Sequence, residues 1–550
     1  MGNSLLLQAS FGPDMFNWHG IDWANCHRRV RSLQRRIVQA MKAGAWRKVK
    51  RLYYLLVKSF DARALAVKRV TENKGKKTPG VDGEIWDTPD RKAAAVQRLA
   101  HVRGYWPKPL KRKYIAKSNG KQRPLGIPVM EDRGRQAVHL QALAPLAETS
   151  ADPNSYGFRP KRRCADAIDQ CFKILRQRTS ATWIYEGDIA GFFDNIAFSW
   201  IEGNIPMDQR LLSKWLRSGF IEEETFHPTT AGVPQGGLIS PVIGNMTLDG
   251  LEQVVREKSE RFRRKHLINF VRYADDFIIT ANNREVLEQL TPQIEAFLEE
   301  RGVSLSKEKT KITHISEGFD FLGQNIRKHV RATGRLGKIQ ITPSTASYRH
   351  IKDKVKFLTK RHRGASPKEL IDKLNPVLRG WANYHRHIIC ADTFGKLDSY
   401  VWGRLYRWCK RRHPDKTGRW IAERYFLQEQ PSREWRFTDP KTGTRLIKVA
   451  QAVNQQRHVK IRGSANPFDP EWDTYFENRD KKQVLALTPT FTAKVQRVQD
   501  ESCPGCRQVF EYDAELVLHH RDGDKKNFKL ANLVYYHPNC HAQRYNGPDS

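Results

Sequence analysis

The sequence has no uninterrupted apolar run approaching the ~20 residues a membrane-spanning helix needs, so no bilayer-crossing segment and no membrane partner are expected. It is also short of acid. Only 59 Asp plus Glu stand against 96 Lys plus Arg, a formal net charge of +37. That balance sets aside the ordinary small-molecule enzymes and makes a polyanion, nucleic acid first, the expected partner. Cysteine is scarce, with eight in 550 residues. Cys26, Cys164, Cys171, Cys390 and Cys409 are scattered, which argues against a disulfide scaffold, whereas Cys503, Cys506 and Cys540 crowd into the last fifty residues and point to metal. The opening MGNSLLLQASFGP lacks the basic n-region and apolar stretch of a secretory signal, and Leu6 occupies the place where a myristoylation motif has Ser or Thr. An intracellular, cytoplasmic setting is expected. Internal repeats and low-complexity tracts are absent too.

What is present divides into several blocks, as 550 residues should, since one core rarely organises so long a chain. Residues 21–72 read as basic helices, with Val30, Leu33, Ile37 and Met41 recurring at helical spacing until ENKGKKTPGVDG breaks the pattern. From 95 to 330, short apolar runs (TWIYEGDI, FIITA, VSLS) alternate with amphipathic segments, the pattern of an α+β sheet domain. Residues 345–427 are helical, Trp-rich and densely basic; 428–500 is irregular and polar; 501–550 is nearly charge-balanced and reads as a separate module. The expected units are therefore 1–94, 95–330, 345–427, 428–500 and 501–550, a multidomain α+β protein.

Two acidic motifs carry chemistry. EGDIAGFFDNI delivers Asp188 at the end of a short apolar strand, and RYADDFIIT places Asp275 and Asp276 at the tip of a strand-turn-strand. Adjacent carboxylates repel one another. A divalent cation relieves that repulsion, and an all-oxygen site with open positions suits Mg²⁺. With Asp188 alongside, two metals about 4 Å apart can be held. An isolated Asp-Asp pair is otherwise a polar turn.

The surrounding strings decide between these readings. TPGVDG, YIAKSNGKQRPLGIP, SYGFRPKRRCADA, GDIAGFFDNI, AGVPQGGLISPVIGNM, YADD and FDFLG occur in the order found in the reverse transcriptases encoded by group II introns, which the first 430 or so residues resemble. The resemblance implies a right-hand polymerase of fingers, palm and thumb that copies RNA into DNA. It implies that Lys121 and Arg123 contact the incoming dNTP triphosphate, that Phe193 is a steric gate against a ribose 2′-hydroxyl, and that Gln235 lies against the nucleotide, with Gly236 and Gly237 admitting close backbone approach. Without it, these would be two solvated charges, a core Phe and a turn.

LNPVLRGWANYHR, FGKLDSYVWGRLYRWCKRRHP and RWIAERYF interleave Trp and Tyr with Arg and Lys at helical spacing. The aromatic stripe suits a core, while Arg386, Arg404, Arg407, Lys410, Arg411 and Arg412 would form a basic ridge for RNA phosphates. These strings resemble the maturase domain X of the same proteins, which doubles as thumb, and imply binding of the host intron RNA and help with its splicing.

Cys503, Cys506, His537 and Cys540 form two pairs, each with two intervening residues, and can close a tetrahedral structural zinc site. His519, His520, Asn532 and His541 are left over. Their order resembles an HNH nuclease of the ββα-metal type, found at the C-terminus of many group II intron proteins. The resemblance implies that His519 and His541 hold a catalytic Mg²⁺ or Mn²⁺, that His520 is the general base, and that Asn532 orients its loop. His537 departs from that family, whose second knot often has Cys at this place.

The expectation is thus a multifunctional group II intron-encoded protein of bacterial or organellar setting: an RNA-directed DNA polymerase, a maturase, and an endonuclease that nicks double-stranded target DNA to prime synthesis. Dimerisation is left open. The alternative is a splicing-only maturase without enzymatic work, which loss of the acidic triad would favour; the triad is intact.

Overall fold

The structure is a computed structural model, and it describes residues 17–73, 75–116, 122–256, 260–429, 434–452, 458–487, 490–510, 516–524 and 527–545. Three helices, Trp23–Lys42, Trp46–Lys58 and Phe60–Glu72, make an N-terminal layer. Asp22 caps the first by accepting the Asn25 amide at 2.9 Å, and Val30, Ile37 and Val38 turn inward while its arginines face outward. All three pack against the helix Met130–Ser150, which is buried on most of its surface.

Beside this layer, Leu110–Ala116 pairs antiparallel with Gln122–Ile127 and parallel with Phe220–Glu222, which in turn pairs with Thr225–His227. The central sheet has the order Asn269–Tyr273, Asp276–Ala281, Trp183–Gly187, Lys311–His314, antiparallel throughout. Its side chains alternate between two cores. Ile184, Val271 and Ile278 meet the helix Cys164–Leu175, whereas Tyr185, Phe277 and Ile279 meet the helix Arg284–Glu299. Coverage on both faces explains why FIIT reads as a continuous apolar run and not an alternating one.

A three-stranded sheet (Phe319–Phe321, Gln324–Val330, Leu336–Pro343) leads into the helices Thr345–Arg361, Pro367–His385, Ala391–Arg412 and Gly418–Tyr425. Ser366 and Glu369 form a capping box on the second of these. Leu370, Leu374, Leu378, Leu397, Val401 and Leu405 fill a core of their own.

Residues 428–500 do not stand as one unit. Phe437, Leu446 and Val449 complete the helical core just described, with Asp398 accepting the Val449 and Ala450 amides at 2.8 and 3.0 Å. Ile461, Ala465 and Phe476 instead join the core under the central sheet, where the buried Asp166 accepts from the Ile461 amide, Arg479 and His458. So few apolar residues in polar text are invisible as a domain because they finish the cores of others. The chain ends in a hairpin, Val517–His520 with Leu533–Tyr536, and a helix, Pro538–Tyr545, seated against the N-terminal layer. Among the described residues no helix is long and apolar enough to cross a membrane.

Candidate active site and metal centre

Asp188 follows the last residue of the central strand Trp183–Gly187, and that strand pairs Gly187 with Phe277, the neighbour of Asp276. Asp275 and Asp276 occupy the tip of the adjoining hairpin, where Tyr273 pairs with Asp276 and Ala274 takes a left-handed φ of 57°. Strand register therefore brings the three carboxylates to one edge of the sheet. SYGFRP supports this tip from behind: the Tyr156 amide donates to the Arg272 carbonyl at 2.9 Å. A Cβ on Gly157 would meet the Ala274 nitrogen at 2.4 Å, so only glycine lets the two backbones approach. Arg272, fully buried, is neutralised by Asp249 at 2.5 Å.

The electrostatics are those of a site that favours a cation. Desolvation by the surrounding protein, and after it the Asp275 and Asp188 carboxylates, push the Asp276 carboxyl up to about 7, although the residue itself stands exposed at the hairpin tip. Burial and Asp188 raise Asp275 as well, while Arg123 and Lys309 oppose the rise. Lys309 Nζ meets both Asp188 oxygens at 2.8 and 2.9 Å, and the Ser306 amide donates to the Asp188 carbonyl. Lys309 is 64% exposed, and exposed ion pairs are weak, so a divalent ion can displace it. The donor set, oxygen only, fits Mg²⁺. Nothing in the sequence singled out Lys309; one Lys in SKEKT gains its place only when residues 304–310 fold back onto Asp188.

Phe192 is 3% exposed and packs in the core, while Phe193, in edge-to-face contact with it at 5.1 Å, is only half-buried. The core role thus falls to the first Phe of the pair. Gln235 donates to Asp194 at 3.1 and 3.2 Å, and its carbonyl accepts the Gly126 amide at 2.8 Å, joining its loop to the strand that carries Arg123. Gly236 has φ of 123°, and a Cβ there would strike the Gly126 carbonyl oxygen at 2.7 Å. Lys121 lies outside the described residues.

The basic helices gather Arg404, Arg407, Arg411 and Arg412, with Arg363, around a cavity of about 270 Å³. Arg404 donates to Thr359 at 3.1 Å, and the Arg412 guanidinium stacks over Trp408 at 4.5 Å. Lys410 is not part of the ridge. Its ammonium folds onto the carbonyls of Pro414 and Lys416 at 2.9 and 2.7 Å, closing the helix end. Arg386 also stands apart, half-buried at the end of Pro367–His385; burial and nearby Arg163 lower its basicity.

In the terminal module, the ligand atoms of Cys503, Cys506, His537 and Cys540 all lie within 4.8 Å of one another. No other group of three or more His, Cys, Asp or Glu among the described residues is gathered as a metal cluster, the aspartates included. Three sulfurs and one imidazole fit tetrahedral zinc. His519 Nδ1 and His541 Nε2 face each other at 3.2 Å, a spacing that suits two ligands of one ion. Burial, and then the neighbouring His541 and His520, lower the His519 pKa and favour the neutral imidazole a metal requires. Asn532 accepts the Asp522 amide at 3.0 Å and donates to Asp522 and to the Asn527 carbonyl, bracing the loop that follows His520.

A sheet edge bearing three coupled carboxylates, fed by a basic strand and followed by a basic helical domain, defines a polymerase of the reverse-transcriptase class. Residues 115–326 match the reverse transcriptase (RNA-dependent DNA polymerase) family, 18–99 the N-terminal domain of reverse transcriptase, and 348–426 the group II intron maturase-specific domain. The chain belongs to the group II intron-encoded reverse transcriptase and maturase family. It is 30% identical over 357 residues to protein YkfC of Escherichia coli, covering 57% of this chain and 91% of that one. It is 28% identical over 440 residues to the group II intron-encoded protein LtrA of Lactococcus lactis, covering 64% of this chain and 72% of LtrA. A telomerase structure from Candida albicans aligns with 58% of this chain and 64% of its own at 12% identity and a TM-score of 0.33, too low to argue from.

Proposed function

We propose that this chain copies RNA into DNA at Asp188, Asp275 and Asp276, holds a group II intron RNA on its basic helices to assist splicing, and nicks one strand of a DNA target to prime synthesis. The observation that carries the polymerase reading is the mutual coupling of the three carboxylates at one sheet edge, which burial and repulsion hold poised for a divalent cation. Bound Mg²⁺ would activate the primer 3′-hydroxyl and steady the triphosphate and its leaving group. Arg123, close enough to act on Asp275, would grip the dNTP phosphates, and Lys121 would share that task. Phe193, half-buried at the rim of the core, would stand against a ribose 2′-hydroxyl; Gln235 would leave Asp194 to lie against the nucleotide. RNA-templated dNTP incorporation by the full chain with Mg²⁺ tests this. Incorporation is expected, and its absence on a well-annealed primer and template would leave only the splicing reading.

Arg404, Arg407, Arg411 and Arg412 form the surface best suited to intron RNA, since rigid helices pre-place their charges for phosphates. Replacing exposed Arg407 and Arg411 together by Ala is expected to weaken intron RNA binding with folding intact. The slope of log affinity against log salt should fall by roughly 1.4 to 1.8 for two lost phosphate contacts. An unchanged slope would move the RNA surface elsewhere.

For nicking, His519 and His541 would hold Mg²⁺ or Mn²⁺, which would stabilise the leaving 3′-oxygen. His520 would take the proton of the attacking water, Asn532 would keep its loop in place, and Zn²⁺ at Cys503, Cys506, His537 and Cys540 would hold the HNH module together.

A further inference from the structure

Lys68, on the helix Phe60–Glu72, is only 7% exposed, and an ammonium so deeply buried needs a negative partner. No carboxylate among the described residues stands within ion-pair distance of it; Glu72, one turn further along the same helix, acts on it from further off. Its Nζ lies instead 3.7 Å from Cys540 Sγ, 472 residues away in sequence, and 5.0 Å from the centre of the Trp23 ring. The cysteine knot it faces is itself sealed: Cys503 and Cys506 are 0% and Cys540 1% exposed, in one apolar core with Trp18, Trp23 and Cys26 of the N-terminal layer. Gly505 fits so closely that an added Cβ would meet the Cys540 Cβ at 2.7 Å. Gln543 of the last helix fastens the same seam by donating to the Ile21 carbonyl at 2.8 Å and to that of His19.

We propose that Lys68 is the counter-ion of the Cys503, Cys506, His537 and Cys540 metal site, and that metal occupancy thereby governs the seating of the terminal module on the N-terminal helices. This rests on the zinc reading above. Three thiolates, a neutral imidazole and Zn²⁺ leave one net negative charge, and the buried ammonium balances it across the seam. Without the ion nothing holds the three sulfurs and the imidazole together at the seam, and Lys68 loses the fixed, charged site that it faces across it. Linkage makes the coupling reciprocal: metal favours docking, and docking tightens the hold on metal. Lys68 acts as a positioning residue, meeting Cys540 and Trp23 at the seam.

The test uses the full chain as wild type, Lys68→Met and Lys68→Arg. Zinc content per chain and the rate of zinc transfer to a chromogenic chelator are measured, with hydrogen exchange of Ile21–Cys26 followed before and after chelation. Wild type should carry about one zinc and release it slowly. Lys68→Met should release it about 10- to 100-fold faster, the usual effect of losing a partner of a metal ligand, and Lys68→Arg should largely restore retention. Chelation should raise exchange at Ile21–Cys26 in wild type towards the Lys68→Met level. Retained RNA-templated incorporation will show that the Lys68→Met body is folded. If that variant keeps zinc as firmly as wild type, or chelation leaves exchange at Ile21–Cys26 unchanged, the counter-ion proposal fails while the zinc site stands. A wild type that carries no zinc overturns the zinc reading and this inference with it.

Discussion

Asp275→Asn should reduce RNA-templated dNTP incorporation by at least about 10³-fold, while the thermal midpoint stays level or rises. The first effect follows from what a metal-bound carboxylate contributes: several kcal/mol of transition-state stabilisation, at about 1.4 kcal/mol per factor of ten. The second follows from the cost of the site when no cation is bound. Asp275 is half-buried beside Asp188 and helps to drive Asp276 up to about 7, so removing its charge relieves repulsion. The sign can be checked against pH. A carboxyl raised to about 7 keeps its proton below that value, and cation binding must expel it; wild type should need more Mg²⁺ for half-maximal activity as pH falls below 7. In Asp275→Asn the carboxyl of Asp276 loses one of its two repelling neighbours and should return towards the ordinary range. Intron RNA binding should be unaffected, because the arginine cavity lies in another core. Incorporation within tenfold of wild type would remove Asp275 from the site, and a lowered midpoint would assign it a structural role.

The contrast between Asp275 and Lys309 shows what the sequence could convey. YADD is a local event: strand, turn and strand lie within a dozen residues, so alternation and turn chemistry expose it. Lys309 matters only because a loop 121 residues downstream of Asp188 returns to it, and no spacing rule reaches that far. The ridge divides in the same way. Arg404, Arg407 and Arg411 share a helical face at steps of three and four, which is readable. Lys410 belongs to the adjoining face, and its capture by the Pro414 and Lys416 carbonyls depends on how the chain turns after the helix. Residues 428–500 were opaque for a related reason: each buried side chain there completes a core built elsewhere, as Phe437 and Ile461 do. Lys68 is the extreme case. Within its helix it is one more basic residue, and only the sulfur 472 residues on gives it meaning.

His520→Ala should abolish target nicking, by about 10²- to 10⁴-fold as expected for losing a general base, and leave extension of an annealed primer intact. The setting of the side chain supports that proposed role. His520 ends the strand Val517–His520, paired with Leu533 of the returning strand, so its backbone is fixed from within the hairpin. Its Nε2 is buried and has no hydrogen-bond partner among the described residues, an arrangement that costs stability unless the nitrogen is kept free for a reactant. The Asn532 contacts to Asp522 and Asn527 hold the next turn, and the Phe528 ring abuts the imidazole edge-on at 5.4 Å. His519, one residue earlier, points to the opposite face of the strand, where it meets His541, so the proposed base and the proposed metal ligands flank the same stretch of backbone. Zinc content should be unchanged, because His520 lies outside the four-residue knot. Nicking that persists in a zinc-loaded His520→Ala protein would place the cleaving groups elsewhere. Loss of nicking together with primer extension would mean that the module supports the polymerase body through its seam with the N-terminal helices, and cleavage could then not be assigned to His520.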